Sequence, residues 1–253
     1  MLPVSPADVI REYLPQTLVD EDGEPWELEL LPGLTEEELA AFEARVGFAL
    51  PEATRELLRF TRGIVGGPLE TIDFTSSADY VAIDEDSGFG HKTLGFAADG
   101  FGNHWGYVLG PDATDLAPIY YFCHDPPVFL YQSPDLAHFL REVFRMCVEP
   151  FESLVDDVHE DRLKNVWLDN PDLVPAKQAR QSSDPIIAGY AATVPDYWKL
   201  IDLRNAEIGQ GFSWGRCRDF KRHDREMIFA LDFKEPWTAR TWLRRLTERR
   251  KPR

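Results

Sequence analysis

Apolar residues recur at two spacings along this chain, and the spacing changes near residue 66. From Thr35 to Gly63 the period is helical. Thr35 followed by Glu38 is a capping box, in which the threonine caps the first amides and the glutamate reaches back. Leu39, Phe42 and Val46 then share one helical face, and Gly47 stands where a left-handed residue closes a helix. Leu50-Pro51 opens a second helix with proline at its first position, Ala53, Leu57, Leu58 and Thr61 facing inward, and Gly63 as its stop. Upstream, VIREYLP reads as a short helix. Trp26, Leu28 and Leu30 alternate as a short strand after the turn DEDGEP.

Between Gly66 and about Tyr131 the runs LETIDF, YVAI, TLGFAA, WGYVL and IYYF are separated by Gly-, Asp- and Pro-rich breaks. The breaks are too short for a helical crossover between each pair of runs, so the sheet is expected to be mainly antiparallel. After Ser133-Pro134-Asp135, the residues Leu136, Phe139, Leu140, Val143, Phe144 and Cys147 form one apolar stripe. They predict a long amphipathic helix packed on the sheet, ended or kinked at Pro150. Residues 160–185 form a polar bridge. PIIAGYAATVPDYWKLIDL, a mixed stretch and the amphipathic WTARTWLRRLTERR follow. The expected organisation is an acidic segment 1–29, an α+β domain 30–158, and a mixed, partly helical basic extension or small second domain 159–253.

Composition narrows the class. A chain of 253 residues with 43% hydrophobic residues can bury a sizeable core as one or two domains. No apolar run approaches the roughly 20 residues that span a bilayer. The first residues show no basic n-region followed by an apolar stretch, so neither a secretory signal nor a membrane partner is expected. The three cysteines, Cys123, Cys147 and Cys217, are odd in number and far apart. That usage fits a reducing cytoplasm. The net charge of -17 is uneven: residues 161–253 carry 19 Lys+Arg against 13 Asp+Glu, leaving 8 against 31 in residues 1–160. An acidic first part repels nucleic acid and attracts basic partners at long range. The basic C-terminal part is expected to pair with it in cis or across a homodimer.

Two dense stretches invite chemistry. In DGFGNHWGYVLG, residues 99–110, the glycines run G-x-G-x-x-x-G and a strand-like segment follows. A dinucleotide fingerprint needs a helix there to hold the pyrophosphate. The stretch therefore reads as a turn whose glycines supply positive φ and whose Asn103 tolerates the left-handed region. In His124-Asp125-Pro126-Pro127, a base and its orienter would need to converge on a nucleophile such as Ser133. Adjacent residues on extended backbone point to opposite faces, and no G-x-S-x-G elbow is present. Asp125 is expected to brace the turn and His124 to be packed or hydrogen-bonded. The histidines lack H-x-x-x-H spacing and the cysteines lack C-x-x-C, so a metal would need His91, His104 and His124 brought together by the fold.

The order of these words carries a resemblance. LTEEELAAFEARVGFALPEATRELLRFTRG resembles the opening helix pair of the SUKH superfamily. The Gly102-Asn103-x-Trp105 turn, the His124-Asp125-Pro126 turn and the closing helix resemble its second half. The resemblance covers about residues 30–150. It implies a bent, mainly antiparallel sheet flanked by helices, with Gly102, Asn103, Trp105, His124, Asp125 and Pro126 as structural motif residues. Many members place an aspartate shortly after the tryptophan, whereas Gly106-Tyr107-Val108-Leu109 contains no acid. Such domains occur in the yeast cell-wall-assembly regulator and in bacterial toxin-immunity proteins.

The reading is thus a non-enzymatic, cofactor-free and metal-free immunity protein. Its partner would be a cognate protein toxin with a basic active-site surface. Acidic contacts are expected from Asp20, Glu21, Asp22, Glu24, Asp84, Glu85 and Asp86, because carboxylates steer association with basic surfaces. The alternatives are a hydrolase or metal-dependent enzyme using His104, His124 and Asp125, and a regulatory scaffold.

Overall fold

A computed structural model describes residues 4–75, 89 and 92–233. The run 80–83, the acids Asp84, Glu85 and Asp86, His91 and the basic stretch 237–250, expected to be helical, lie outside the described residues.

Helix α1 (Pro6–Tyr13) carries proline in its first turn and buries Ala7, Val9 and Ile10. Strand β1 (Glu29–Leu30) follows, shorter than the period-two run predicts. Helix α2 (Glu36–Val46) has the expected capping box. Thr35 Oγ1 accepts from the Glu38 amide at 3.3 Å, and the Glu38 carboxylate accepts from the Thr35 amide at 2.8 Å. Gly47 closes the helix at φ +96°. Helix α3 (Glu52–Phe60) starts one residue later than expected, with Pro51 as its cap. It ends at Phe60 with Thr61 extended, so Gly63 opens a strand rather than stopping the helix.

The strands β2 (Gly63–Val65), β3 (Thr71–Asp73), β4 (Lys92–Ala98), β5 (His104–Leu109), β6 (Ile119–His124) and β7 (Pro127–Ser133) form the expected antiparallel meander. Helix α4 (Leu136–Arg145) is capped by Asp135, whose side chain accepts from the His138 amide at 2.7 Å. The expected long helix is not continuous. It ends at Arg145, five residues before Pro150, and residues 146–153 are not helical. The helical path resumes as α5 (Leu154–Asp157), a π-turn over 158–162 and α6 (Leu163–Asp169).

The remaining described chain forms β8 (Val174–Pro175), α7 (Ala176–Ala179), α8 (Pro185–Ala192), β9 (Lys199–Asp202), β10 (Gly211–Phe212), β11 (Cys217–Arg222) and β12 (Ile228–Phe233). Asp184 caps α8, accepting from the Ile186 amide at 2.8 Å, and Pro185 occupies the first turn. Strands β1 to β7 lie in sequence order, and β10 joins β7 to complete an eight-stranded antiparallel sheet. A second sheet runs β11-β12-β9-β8. The fold is α+β, with helices flanking the large antiparallel sheet.

Side chains of the central strands alternate between two cores. Trp105, Tyr107, Leu109, Ile119, Tyr121, Cys123, Val128 and Leu130 face the helices, packing with Ile10, Leu39, Leu57, Phe139 and Phe144. Val108, Tyr120, Phe122 and Phe129 face the other way. They pack with Phe89, Ile201, Leu203, Phe212, Phe229 and Leu231. A smaller cluster, Ala176, Ala191, Trp198, Leu200 and Ile228, sits between α7–α8 and the second sheet. The layers therefore run helices, sheet, sheet, helices. Burying each large aromatic contributes about 1.5–3 kcal/mol, which makes the second face as strong an element of the fold as the first.

Candidate functional site

The site is built from two neighbouring turns at one end of the large sheet, β4–β5 and β6–β7. Asp99 organises the first. Its Oδ1 accepts from the amides of Phe101 at 2.8 Å and Asn103 at 3.1 Å, and its Oδ2 accepts from Asn103 Nδ2 at 2.6 Å. Gly100 and Gly102 take φ of +80° and +89°. Glycine is favoured at Gly102 by its backbone, and a β-carbon there would lie 3.0 Å from Cε1 of the exposed His124 ring, which would have to shift. Asn103 is not itself left-handed. Its side chain joins the two turns, with Oδ1 accepting from the His124 amide at 3.1 Å and lying 3.1 Å from His124 Nδ1.

Trp105 is buried. Its indole donates to Gln132 Oε1 at 3.0 Å, Gln132 donates to the Leu154 carbonyl, and the ring packs on Tyr121 and Phe139. His124 and Asp125 are exposed at the β6–β7 turn, and Pro126 is half-buried behind them. Phe101 projects from the apex of the first turn and is 80% exposed. Sequence reasoning missed it, although a phenylalanine between two turn glycines has no strand or helix face on which to pack. The acid-free positions after Trp105, namely Gly106, Tyr107, Val108 and Leu109, are all buried in β5.

Among the described histidines, His104, His138 and His159 make contacts within the fold. His104 is buried, stacked on Phe122 with ring centroids 4.9 Å apart, and its Nε2 has no partner. Burial is the main cause that lowers its pKa to about 4, so it is neutral at neutral pH. Ser133 donates to the Asp135 carbonyl, and its Oγ lies 2.9 Å from His138 Nδ1 at the β7–α4 junction. His159 Nε2 lies 3.7 Å from Asp99 Oδ2, and its ring meets the edge of Tyr121. Among the described residues, no group of three or more His, Cys, Asp or Glu side chains is placed to hold a metal ion. Burial raises the Cys123 thiol pKa and pushes that of Cys147 up to about 12, which keeps both in the poorly nucleophilic thiol form.

Of the acidic candidates, Asp20 turns inward. Its Oδ1 accepts from the amides of Asp22 at 3.0 Å and Glu24 at 2.9 Å, leaving Glu21, Asp22 and Glu24 exposed on a tight loop. The Val19 amide bonds to the Cys147 carbonyl at 3.0 Å and fixes this loop to the end of α4. The Asp156 carboxyl is held above the usual range, first by burial and then by repulsion from Glu160, with a smaller contribution from Glu21. His159, two residues before Asp161 and beside Glu160, is the residue of this segment that meets Asp99 of the first turn.

The basic region pairs locally where it is described. Arg204 bonds Asp184 and Asp202, Arg180 pairs with Asp196, and Arg216 stacks over Trp167 and Phe233. Between α7–α8 and the second sheet lies a half-open cleft of about 400 Å³, lined by Val174, Ile187, Leu200, Gln178, Ser182 and Asp202 among others. Its carboxylate, Asp202, is held by Arg204 at 2.7 Å, and Ser182 Oγ accepts from the Asp184 amide.

Residues 33–142 match the model of the SMI1 / KNR4 family (SUKH-1). No curated protein and no solved structure matches the chain. No helix among the described residues is long and apolar enough to cross a membrane.

Proposed function

From residues 33–142, which belong to the SUKH superfamily, we propose that this chain is a non-catalytic protein-binding protein of the immunity type, which binds and neutralises a cognate toxin. The observation that carries the proposal is how the motif residues are used. Asn103, Trp105 and His124 hydrogen-bond to hold the turns together or to anchor the sheet, and His104 is buried on the second core. A catalytic set needs a base facing a nucleophile with an open site between them. Here the rings instead support a rigid end of the sheet that carries an aromatic residue and carboxylates, which is what an interface requires.

Charge supports a basic partner. Residues 1–160 carry 31 Asp+Glu against 8 Lys+Arg, so an approaching cationic surface is steered to this part of the molecule. Contact by the 20–24 loop, and by Asp84, Glu85 and Asp86, belongs to the same proposal. The reading predicts a toxin encoded beside this chain: co-expressing the two should restore growth, and the purified pair should associate more slowly as salt rises. A toxin that kills equally with and without this chain would overturn the reading.

A further inference from the structure

Resting on the protein-binding reading above, we propose that the Asp99–Asn103 turn, with Phe101 at its apex and Glu70 and Asp125 beside it, is the docking surface for a basic protein.

Phe101 is the one exposed phenylalanine among the described residues. Solvent exposure forgoes the burial that stabilises the other described phenylalanine rings, and nothing in the fold needs an aromatic residue at this apex. The turn beneath it is fixed in advance. Asp99 takes three hydrogen bonds from within the turn, and Asn103 ties it to the β6–β7 turn across 21 residues. An aromatic residue held on rigid backbone loses little conformational entropy when a partner covers it. Both broad faces of the large sheet are already occupied, one by helices and the other by the second sheet. A partner is therefore left with loops and ends, and this end presents the exposed ring.

Charge selects the occupant. The Glu70 carboxyl carbon lies 3.4 Å from where a β-carbon on Gly100 would stand. Asp125 is exposed on the turn that His124 joins to Asn103, and exposed Glu160 follows His159, which meets Asp99. The matching partner has an apolar recess for one phenyl ring, rimmed by arginine or lysine. Arginine suits such a rim because it stacks on an aromatic face and also pairs with carboxylates.

The probe is the toxin whose growth inhibition this chain relieves in the co-expression test above, purified with its activity disabled by substitution and titrated against the full chain by calorimetry. Phe101→Ser should leave the melting temperature unchanged and weaken binding about thirty-fold, the loss expected of a central aromatic contact. Tyr197→Ser, at another exposed aromatic (68% exposed), should bind as the unaltered chain does. The double variant Glu70→Gln, Asp125→Asn should slow association and flatten its salt dependence. Unaltered affinity in the Phe101→Ser chain would overturn the docking surface alone. No binding by the unaltered chain would overturn the immunity reading, and the docking surface with it.

Discussion

At the scale of single residues, His104 and Asn103 show how the motif is built into the protein. His104 is uncharged in the fold because burial lowers its pKa to about 4, against about 6.5 for an exposed histidine. The folded chain then binds fewer protons than the unfolded chain between these values. Stability is full above pH 6.5 and is lost as pH falls towards 4, by about 3 kcal/mol. His104→Phe should remove most of this acid sensitivity, as measured by urea unfolding at pH 7 and pH 4.5. An unchanged difference between the two pH values would show that other groups cause it. Asn103→Asp would replace a donor to Asp99 with a second carboxylate. It should destabilise the turn more than Asn103→Ala at pH 7, and the gap should narrow in acid as the carboxylates protonate. Equal melting temperatures for the two variants at pH 7 would count against the 2.6 Å contact. The turn itself was legible in the spacing of Gly100, Gly102 and Asn103. The role of Asn103 was not, because its partner His124 is supplied by a strand that only folding brings alongside.

At the scale of elements, most signals whose deciding contact lies within a few residues are legible, though not all. The capping box of Thr35 and Glu38 and the left-handed Gly47 mark both ends of α2. Thr35→Ala should cost about 1 kcal/mol in chemical denaturation, with the fold unchanged in circular dichroism. A cost indistinguishable from zero would mean that the cap is replaced by water. Apolar periodicity alone overran α4, because Val155 and Val158 continue the stripe into a different helical piece that packs against the same core. Asp184-Pro185 was an available start signal for α8, a capping acid followed by first-turn proline, and it was read as a loop. Two other contacts cross the chain and leave no local trace: the Gln132 link from Trp105 to Leu154, and the Val19 to Cys147 bond that holds the acidic loop.

At the scale of the whole molecule, the second sheet changes what the first can do. IYYFCH and PVFLYQS are apolar at nearly every position, which is the pattern of strands covered on both sides rather than half-exposed ones. The cover is supplied from residues 199–233, far along the chain, so the pattern shows that a cover exists without showing where it comes from. Phe129 of the large sheet and Phe229 of the second lie 5.7 Å apart by ring centroid, and both pack on Phe212. A shared aromatic core of this kind couples the two sheets, so they should unfold in one transition. Phe229→Ala should cost about 3–5 kcal/mol. Its effect should reach β5 and β6, whose amides should lose hydrogen-exchange protection together with those of β9 and β12. Combining it with Phe129→Ala should cost less than the sum of the two, because the second substitution removes a contact already lost. If exchange in β5 and β6 stayed at the unaltered level while β9 and β12 opened, the second sheet would be a separate folding unit. The large sheet would then expose Tyr120, Phe122 and Phe129 whenever the second sheet opened, and that face would be available to a partner after all.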